Sequence, residues 1–259
     1  KMKYKINYSI GGYSAKNNND DKLLPYTEEN DEKLLLYVAE IGDITTVDRL
    51  LKSITNPDFK DDNGNTPLSI AAMKGNVDIV NRLVEHLADV EIPNKEGYTA
   101  LAHAAENGRI NVVEYLLLQR IGGVEVDVKV DYGLTPLSLA AMNGYLNIVD
   151  RLVTNSANVS GRDEDGYTAL SHAAENGHLD VLKYLVEHKA DVNVRDSTVY
   201  ATPLHYAAFN GHVGVVKYLV EKGANVSATD LKKCTPLDWA KKRKHDKVMS
   251  YLTEQMQNL

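Results

Sequence analysis

Eight histidines, one cysteine and a run of four basic residues are the side chains of this sequence best suited to chemistry. Histidine can ligate a metal or move a proton near neutral pH. Yet His103 and His172 fall at the same place in two copies of one motif, and His178 and His212 each follow a glycine at repeat spacing. With Cys234 alone, neither a Cys-x-x-Cys site nor an intramolecular disulfide can form. No His-Glu-x-x-His helix, EF-hand loop or Gly-rich phosphate loop appears, so no metal, cofactor or nucleotide site is expected. Glu106 and Glu175 belong to copied Ala-Ala-Glu-Asn-Gly segments, which are too regular for a tuned acid–base pair. No catalytic residue is therefore assigned, and the chain is not expected to be an enzyme. The basic run Lys241-Lys242-Arg243-Lys244 fits either a nuclear-localisation or phosphate-contacting patch or the solvated face of an end helix. Asn-x-Ser triplets occur at Asn7, Asn158 and Asn225, but no secretory signal pattern accompanies them, so glycosylation is not expected.

Composition narrows the classes further. A hydrophobic fraction of 43% with 25% charged residues is that of a folded chain. The formal charge of −7 is uneven: residues 230–259 carry seven Lys or Arg against four acids, a local +3 that leaves about −10 on the rest. An acidic body argues against nucleic-acid binding, which needs a basic face to neutralise phosphates. A lone cysteine fits a reducing compartment, so a cytoplasmic protein is expected, with the nucleus as an alternative. No apolar run approaches a membrane span. The opening Lys1-Met2 is compatible with trimming from a longer chain.

Internal repetition organises the sequence. The segments GNTPLSIAAMKG from Gly64, GYTALAHAAENG from Gly97, GLTPLSLAAMNG from Gly133, GYTALSHAAENG from Gly166 and ATPLHYAAFNG from Ala201 align, and TPLDWAKKRK from Thr235 adds a sixth opening. The threonines Thr66, Thr99, Thr135, Thr168, Thr202 and Thr235 are 33, 36, 33, 34 and 33 residues apart. Each unit predicts a short helix capped by its threonine and ended by Gly or its neighbour, then a second helix with an apolar stripe such as Ile79, Val80 and Leu83. Units from Thr66 and Thr135 match each other, as do those from Thr99 and Thr168, so the array reads as a duplicated pair. Stacking is required, because one unit cannot bury its own apolar face.

The period and the Thr-Pro-Leu-His-x-Ala-like opening resemble the ankyrin repeat over roughly residues 32–259. The resemblance implies an all-α solenoid of about seven stacked helix-turn-helix repeats, two of them caps. Their expected bounds are 32–61, 62–94, 95–130, 131–163, 164–196, 197–230 and 231–259, after a partly ordered leader at 1–31. Within the leader, Tyr4, Ile6, Tyr8 and Ile10 alternate as in a strand and Asn17–Asp21 read as a loop. The segment 121–130 carries three extra residues and 197–201 one extra with no turn glycine, each either a binding loop or a tolerated insertion. His205 takes the position of the family's structural histidine.

The resemblance also implies a non-enzymatic protein-binding module whose turn tips and first helices line a concave groove. Carried onto this sequence, the groove would present Tyr98, Tyr132, Leu134 and Tyr167 at the tips, with Met73, Glu106, Met142, Glu175 and Phe209 on the first helices. Aromatic and Met side chains are the types enriched at interfaces. The three tyrosines are expected on or beside turn tips, outside the interior stack, and Asp150 and Lys183 on the neutral outer surface. The partner would be another protein, with no membrane or nucleic acid involved, and the chain monomeric. Two other roles fit the same repeats: a targeting domain cut from a larger enzyme, or an inhibitory regulator or effector delivered to a host cytoplasm. Leu185–Asn193 (LVEHKADVN) resembles the segment hydroxylated at asparagine in ankyrin repeats, making Asn193 a candidate for that modification.

Overall fold

A computed structural model gives the structure of residues 28–118 and 124–257. The alternating segment Tyr4–Ile10, the Asn17–Asp21 loop and residues 121–123 of the insertion lie outside the described residues. The described chain folds into consecutive helix pairs: α1 (Glu28–Ile41) with α2 (Ile44–Leu50), α3 (Pro67–Lys74) with α4 (Val77–Glu85), and α5 (Ala100–Glu106) with α6 (Ile110–Leu118). Then come α7 (Pro136–Asn143) with α8 (Leu146–Thr154), α9 (Ala169–Asn176) with α10 (Leu179–Glu187), α11 (Pro203–Asn210) with α12 (Val213–Glu221), and α13 (Pro236–Arg243) with α14 (Asp246–Gln257). No strand is assigned among the described residues. The fold is an all-α repeat solenoid.

Local chemistry explains each pair. Thr66 Oγ1 accepts from Ser69 N at 3.1 Å and Ser69 Oγ accepts from Thr66 N at 2.9 Å, a reciprocal cap that satisfies two otherwise orphaned amides. Pro67 follows at the first helical position, where the missing N–H costs nothing. Thr135 and Thr235 build the same cap with Ser138 and Asp238, and Thr202 builds it with the His205 ring. In the second helices the buried residues recur on one stripe, as with Ile79, Val80 and Leu83 in α4 and Ile148, Val149 and Leu152 in α8.

First helices pack on first helices and second on second, in two layers. Alanine pairs such as Ala71 and Ala72, fully buried, let α3 approach α1 and α5 closely. The second helices are separated by Leu, Ile and Val.

Neighbouring units are also tied through their turns. Lys95 N donates to Asn63 O (3.0 Å), Asp131 N to Glu96 O (2.8 Å), Glu164 N to Tyr132 O (2.9 Å), Ser197 N to Asp165 O (2.8 Å) and Leu231 N to Val199 O (2.9 Å). This ladder of main-chain bonds holds the tips in a row. Behind it, the rings of His178, His212 and His245 reach back one unit to the carbonyls of Met142, Glu175 and Phe209, at 3.0, 2.9 and 2.9 Å. Each ring lies directly over a left-handed glycine (Gly144, Gly177 or Gly211), where any Cβ would collide with it. These histidines are structural, and their spacing is the repeat's own.

One strained position is open to improvement. Leu87 ends its second helix at φ 65° and is 88% exposed, while Gly223 fills the same position in the last unit but one at φ 87°. A Leu side chain in that conformation is unfavourable by roughly 1 kcal/mol, partly offset by glycine's greater freedom when unfolded. Leu87→Gly is thus expected to raise stability by about 0.5 kcal/mol in urea denaturation. A fall in stability would mean the Leu87 side chain makes contacts that outweigh its backbone strain.

Candidate protein-binding face

The face formed by the turn tips and first helices collects the residues singled out in the sequence. Met73, Glu106, Met142, Glu175 and Phe209 occur once per unit at one position near the ends of α3, α5, α7, α9 and α11, each half-buried. They line up because the units stack in register. Tyr132 is 59% exposed and held at φ 61°, a conformation unusual for a residue with a bulky side chain. Leu134 is half-buried beside it.

Tyr98 and Tyr167 require a correction. Both belong to the stack rather than to a free tip. Tyr98 is only 6% exposed, lies 4.8 Å from the His103 ring, and shares a small second core with Ala102, Val130 and Leu139. Its hydroxyl donates to Glu106 Oε1 at 3.4 Å, and burial raises the Glu106 pKa. Tyr167 is half-buried between His172 (5.2 Å) and Tyr206 (4.9 Å), and burial pushes its hydroxyl far above the ordinary phenol range. The reason is geometric: Tyr98 and Tyr167, directly before Thr99 and Thr168, lean onto the residue four positions after that threonine, in the first helix of the same unit. Tyr98→Ala is accordingly expected to lower stability by about 2 kcal/mol, through lost ring burial and packing. An unchanged thermal midpoint would return Tyr98 to the surface.

The sequence reading matched His103 with His172 but not the rest of their column, four residues after each threonine: Ile70, Leu139, Tyr206 and Trp239. Most side chains in this column are clamped by the residue that starts the preceding turn. Asp163 Oδ2 lies 2.9 Å from His172 Nε2, Asp196 Oδ2 accepts from Tyr206 Oη at 2.8 Å, and Asp230 Oδ2 accepts from Trp239 Nε1 at 2.9 Å. Asn94 approaches His103 Nε2 at 3.5 Å. Where the turn starts with Val130, the column holds Leu139, and the two pack together. In five of the six units polar meets polar or apolar meets apolar, Asp61 with Ile70 being the exception, a covariation among the chain's own copies that a column-by-column comparison could have found.

The glycine-free turn at 197–201 is built by the same clamp. The Asp196 carboxylate accepts main-chain N–H bonds from Thr198, Val199, Tyr200 and Ala201 at 2.7–3.2 Å. Burial opposes its charge, but these donors and the Tyr206 hydroxyl outweigh that and hold its pKa below the usual carboxylate value. Tyr200, at φ 64°, takes the place where Gly166 sits at φ 83° and remains 52% exposed, with the Arg195 guanidinium 4.5 Å above its ring. The aromatic contacts continue from Tyr206 to Trp239 (5.5 Å), from Trp239 to Phe209 (5.6 Å), and from Phe209 to the Arg243 guanidinium (4.2 Å).

On the outer surface, Asp150 and Lys183 are not neutral. Asp150 Oδ1 accepts from Tyr184 Oη at 2.9 Å, and Lys183 Nζ lies 5.7 Å over the Tyr218 ring. Asp78 and Lys247, exposed and making no described contact, are the better controls. Asn193 is exposed; its carboxamide donates to Gly223 O (3.1 Å) and accepts from Asn225 N (2.8 Å), bridging two units. His205 bridges too, with Nε2 3.2 Å from Cys234 O.

Among the described residues no three His, Cys, Asp or Glu side chains converge as a metal site, and no helix is long and apolar enough to cross a membrane. No curated protein matches the chain in sequence. The family described as ankyrin repeats matches in three copies, at residues 35–130, 117–196 and 197–259. With the period, the threonine caps and the paired-helix stack already in place, the chain belongs to the ankyrin-repeat family.

Proposed function

We propose that the protein is a monomeric, non-enzymatic adaptor that grips a partner protein along the face of its tips and first helices. Ankyrin repeats are generally protein–protein interaction modules and typically non-enzymatic. The observation that carries the reading is a row of exposed apolar side chains along the turn tips; Ile41, Leu87 and Leu118 are exposed singly, at or just after the ends of α1, α4 and α6. Tyr132, Val199, Tyr200 and Leu231 stand out at the tips, 37–68% exposed, above half-buried Met73, Met142 and Phe209. Exposed apolar residues clustered on a rigid frame mark interaction surfaces. The same face would serve a chain acting alone, a targeting module within a longer enzyme, or an inhibitory regulator. A reducing cytoplasm suits the lone cysteine, and Asn193 remains the residue to inspect for hydroxylation in native protein by mass spectrometry.

The test uses a partner recovered by crosslinking to the native chain. Met73→Ala, Met142→Ala and Phe209→Ala together are expected to weaken its binding at least tenfold, about 1.4 kcal/mol, with helical circular dichroism unchanged. Asp78→Ala and Lys247→Ala should leave binding within about twofold. Loss in the controls with full affinity in the triple variant would move the site to the second helices.

A further inference from the structure

The charges on the binding face are segregated. Along its central units the exposed and half-buried positions carry Glu96, Glu106, Asp131, Glu164, Asp165 and Glu175 against Lys95 at the tips. At the C-terminal end Lys232 takes the position of Glu96 and Asp165 and Lys242 that of Glu106 and Glu175, with Lys233 and Arg243 beside them; all four are exposed and make no ion pair among the described residues. The acids nearest to them are already engaged. Asp230 accepts from the amides of Lys232 and Cys234 (both 2.8 Å) and from the Trp239 indole. Asp238 accepts from the Thr235 amide and hydroxyl and pairs with Lys241 at 3.5 Å.

An aromatic floor lies among the same C-terminal units, in direct contact with Arg243. Trp239 and Phe209 meet edge to face at 5.6 Å and both remain partly exposed, while Arg243 lies flat on Phe209 at 4.2 Å. A guanidinium stacked in this way loses freedom but keeps its edge donors for a carboxylate. Resting on the groove reading above, we propose that this end of the face binds an acidic peptide segment of the partner. One apolar side chain of that segment lies on Phe209 and Trp239, and flanking carboxylates meet Arg243, Lys242 and the Lys232–Lys233 tip. The acidic central units, with Glu175 adjoining, confine such a segment to this end. The same negative surface disfavours a nucleic acid, whose backbone would have to cross it.

Trp239 is the only tryptophan of the chain, so its fluorescence reports on this site directly. The probe is the unlabelled peptide Glu-Asp-Phe-Glu-Asp, titrated into the full chain beside Lys-Arg-Phe-Arg-Lys, Ser-Gly-Phe-Gly-Ser and a twelve-nucleotide RNA. The acidic peptide is expected to give a saturable change, at least about tenfold tighter than the other three and weaker as salt rises. Lys242→Gln with Arg243→Gln should weaken it at least about tenfold, and Lys247→Gln by less than about twofold, because only the former lie on the patch. Phe209→Leu gives a second variant that keeps an apolar side chain in place and should lose the stacked guanidinium's contribution. Equal response to the basic peptide, tighter RNA binding, or no acidic-peptide response would each overturn the inference. If the Met73, Met142 and Phe209 substitutions still weakened the native partner, the groove reading would stand while the acidic ligand fell. If neither set had any effect, both would fall.

Discussion

Removal of residues 230–259 is expected to destroy cooperative unfolding and drive the remaining chain to aggregate. Helices α13 and α14 cover the apolar flank of α11 and α12, where Leu204, Val216 and Leu219 are fully buried and Val215 nearly so. Uncovering them, with Ala207 and Ala208, forfeits burial worth on the order of 5 kcal/mol, comparable to the whole stability of a typical domain. The deletion also removes Asp230 and Trp239, so Tyr206 and Phe209 lose their aromatic neighbour. The far side of the lost pair is what a terminal unit needs: Lys241, Lys242, Arg243, Lys244, Asp246 and Lys247 are all exposed. Lys244 even adopts the left-handed conformation, at φ 60°, that glycine takes in inner units. Size-exclusion chromatography and thermal melts of the truncated chain are the check. A monomer with the parent's melting curve would show that α13 and α14 are not a cap.

The second large effect is a loss of stability in mild acid, traceable to His103. Its ring is 1% exposed, Nδ1 has no hydrogen-bond partner among the described residues, and burial lowers its pKa to about 4. The unfolded chain binds this proton near pH 6.5, whereas the folded one refuses it until about pH 4. Between those values unfolding takes up a proton, so stability falls as pH drops through that window and is flat above it. The full loss is about 3 kcal/mol, on the order of two and a half pKa units. His103→Leu should abolish it, since Leu139 and Ile70 occupy the same position in sister units. Urea denaturation of both proteins from pH 8 to pH 4 is expected to give a stability difference that widens below pH 6.5. Parallel pH profiles would mean that His103 takes up its proton as readily in the folded chain as in the unfolded one.

The repeat frame was fully legible in the sequence, because period, threonine caps and terminal glycines are local signals that recur. Thr66, Pro67 and Gly75 each do one conformational task, and the same task recurs in each later unit. The positions of Met73, Met142 and Phe209 on one face follow from that periodicity alone. Side-chain depth was less legible. Tyr98 and Tyr132 lie close to the same turn position, yet one is buried on His103 and the other stands out at φ 61°. Tyr98 directly precedes Thr99 and stacks on His103, whereas Tyr132 stands three residues before Thr135 and is exposed, so depth follows contacts that spacing along the chain does not display. Trp239 and Tyr206 escaped notice for the same reason. They fill a column that reads as ordinary helix interior until the Asp196 and Asp230 clamps are seen to aim their polar atoms.

The central claim is that a partner is held by the tips and first helices rather than by the outer layer. Hydrogen–deuterium exchange of the chain, alone and saturated with its crosslinked partner, tests this without any substitution. Binding is expected to slow exchange at the turns around Tyr132, Val199–Tyr200 and Leu231–Lys233 and at the ends of α7, α9, α11 and α13. The exposed sides of α4, α8 and α12 should exchange as before. Protection confined to those second helices, with the turn amides unchanged, would contradict the account.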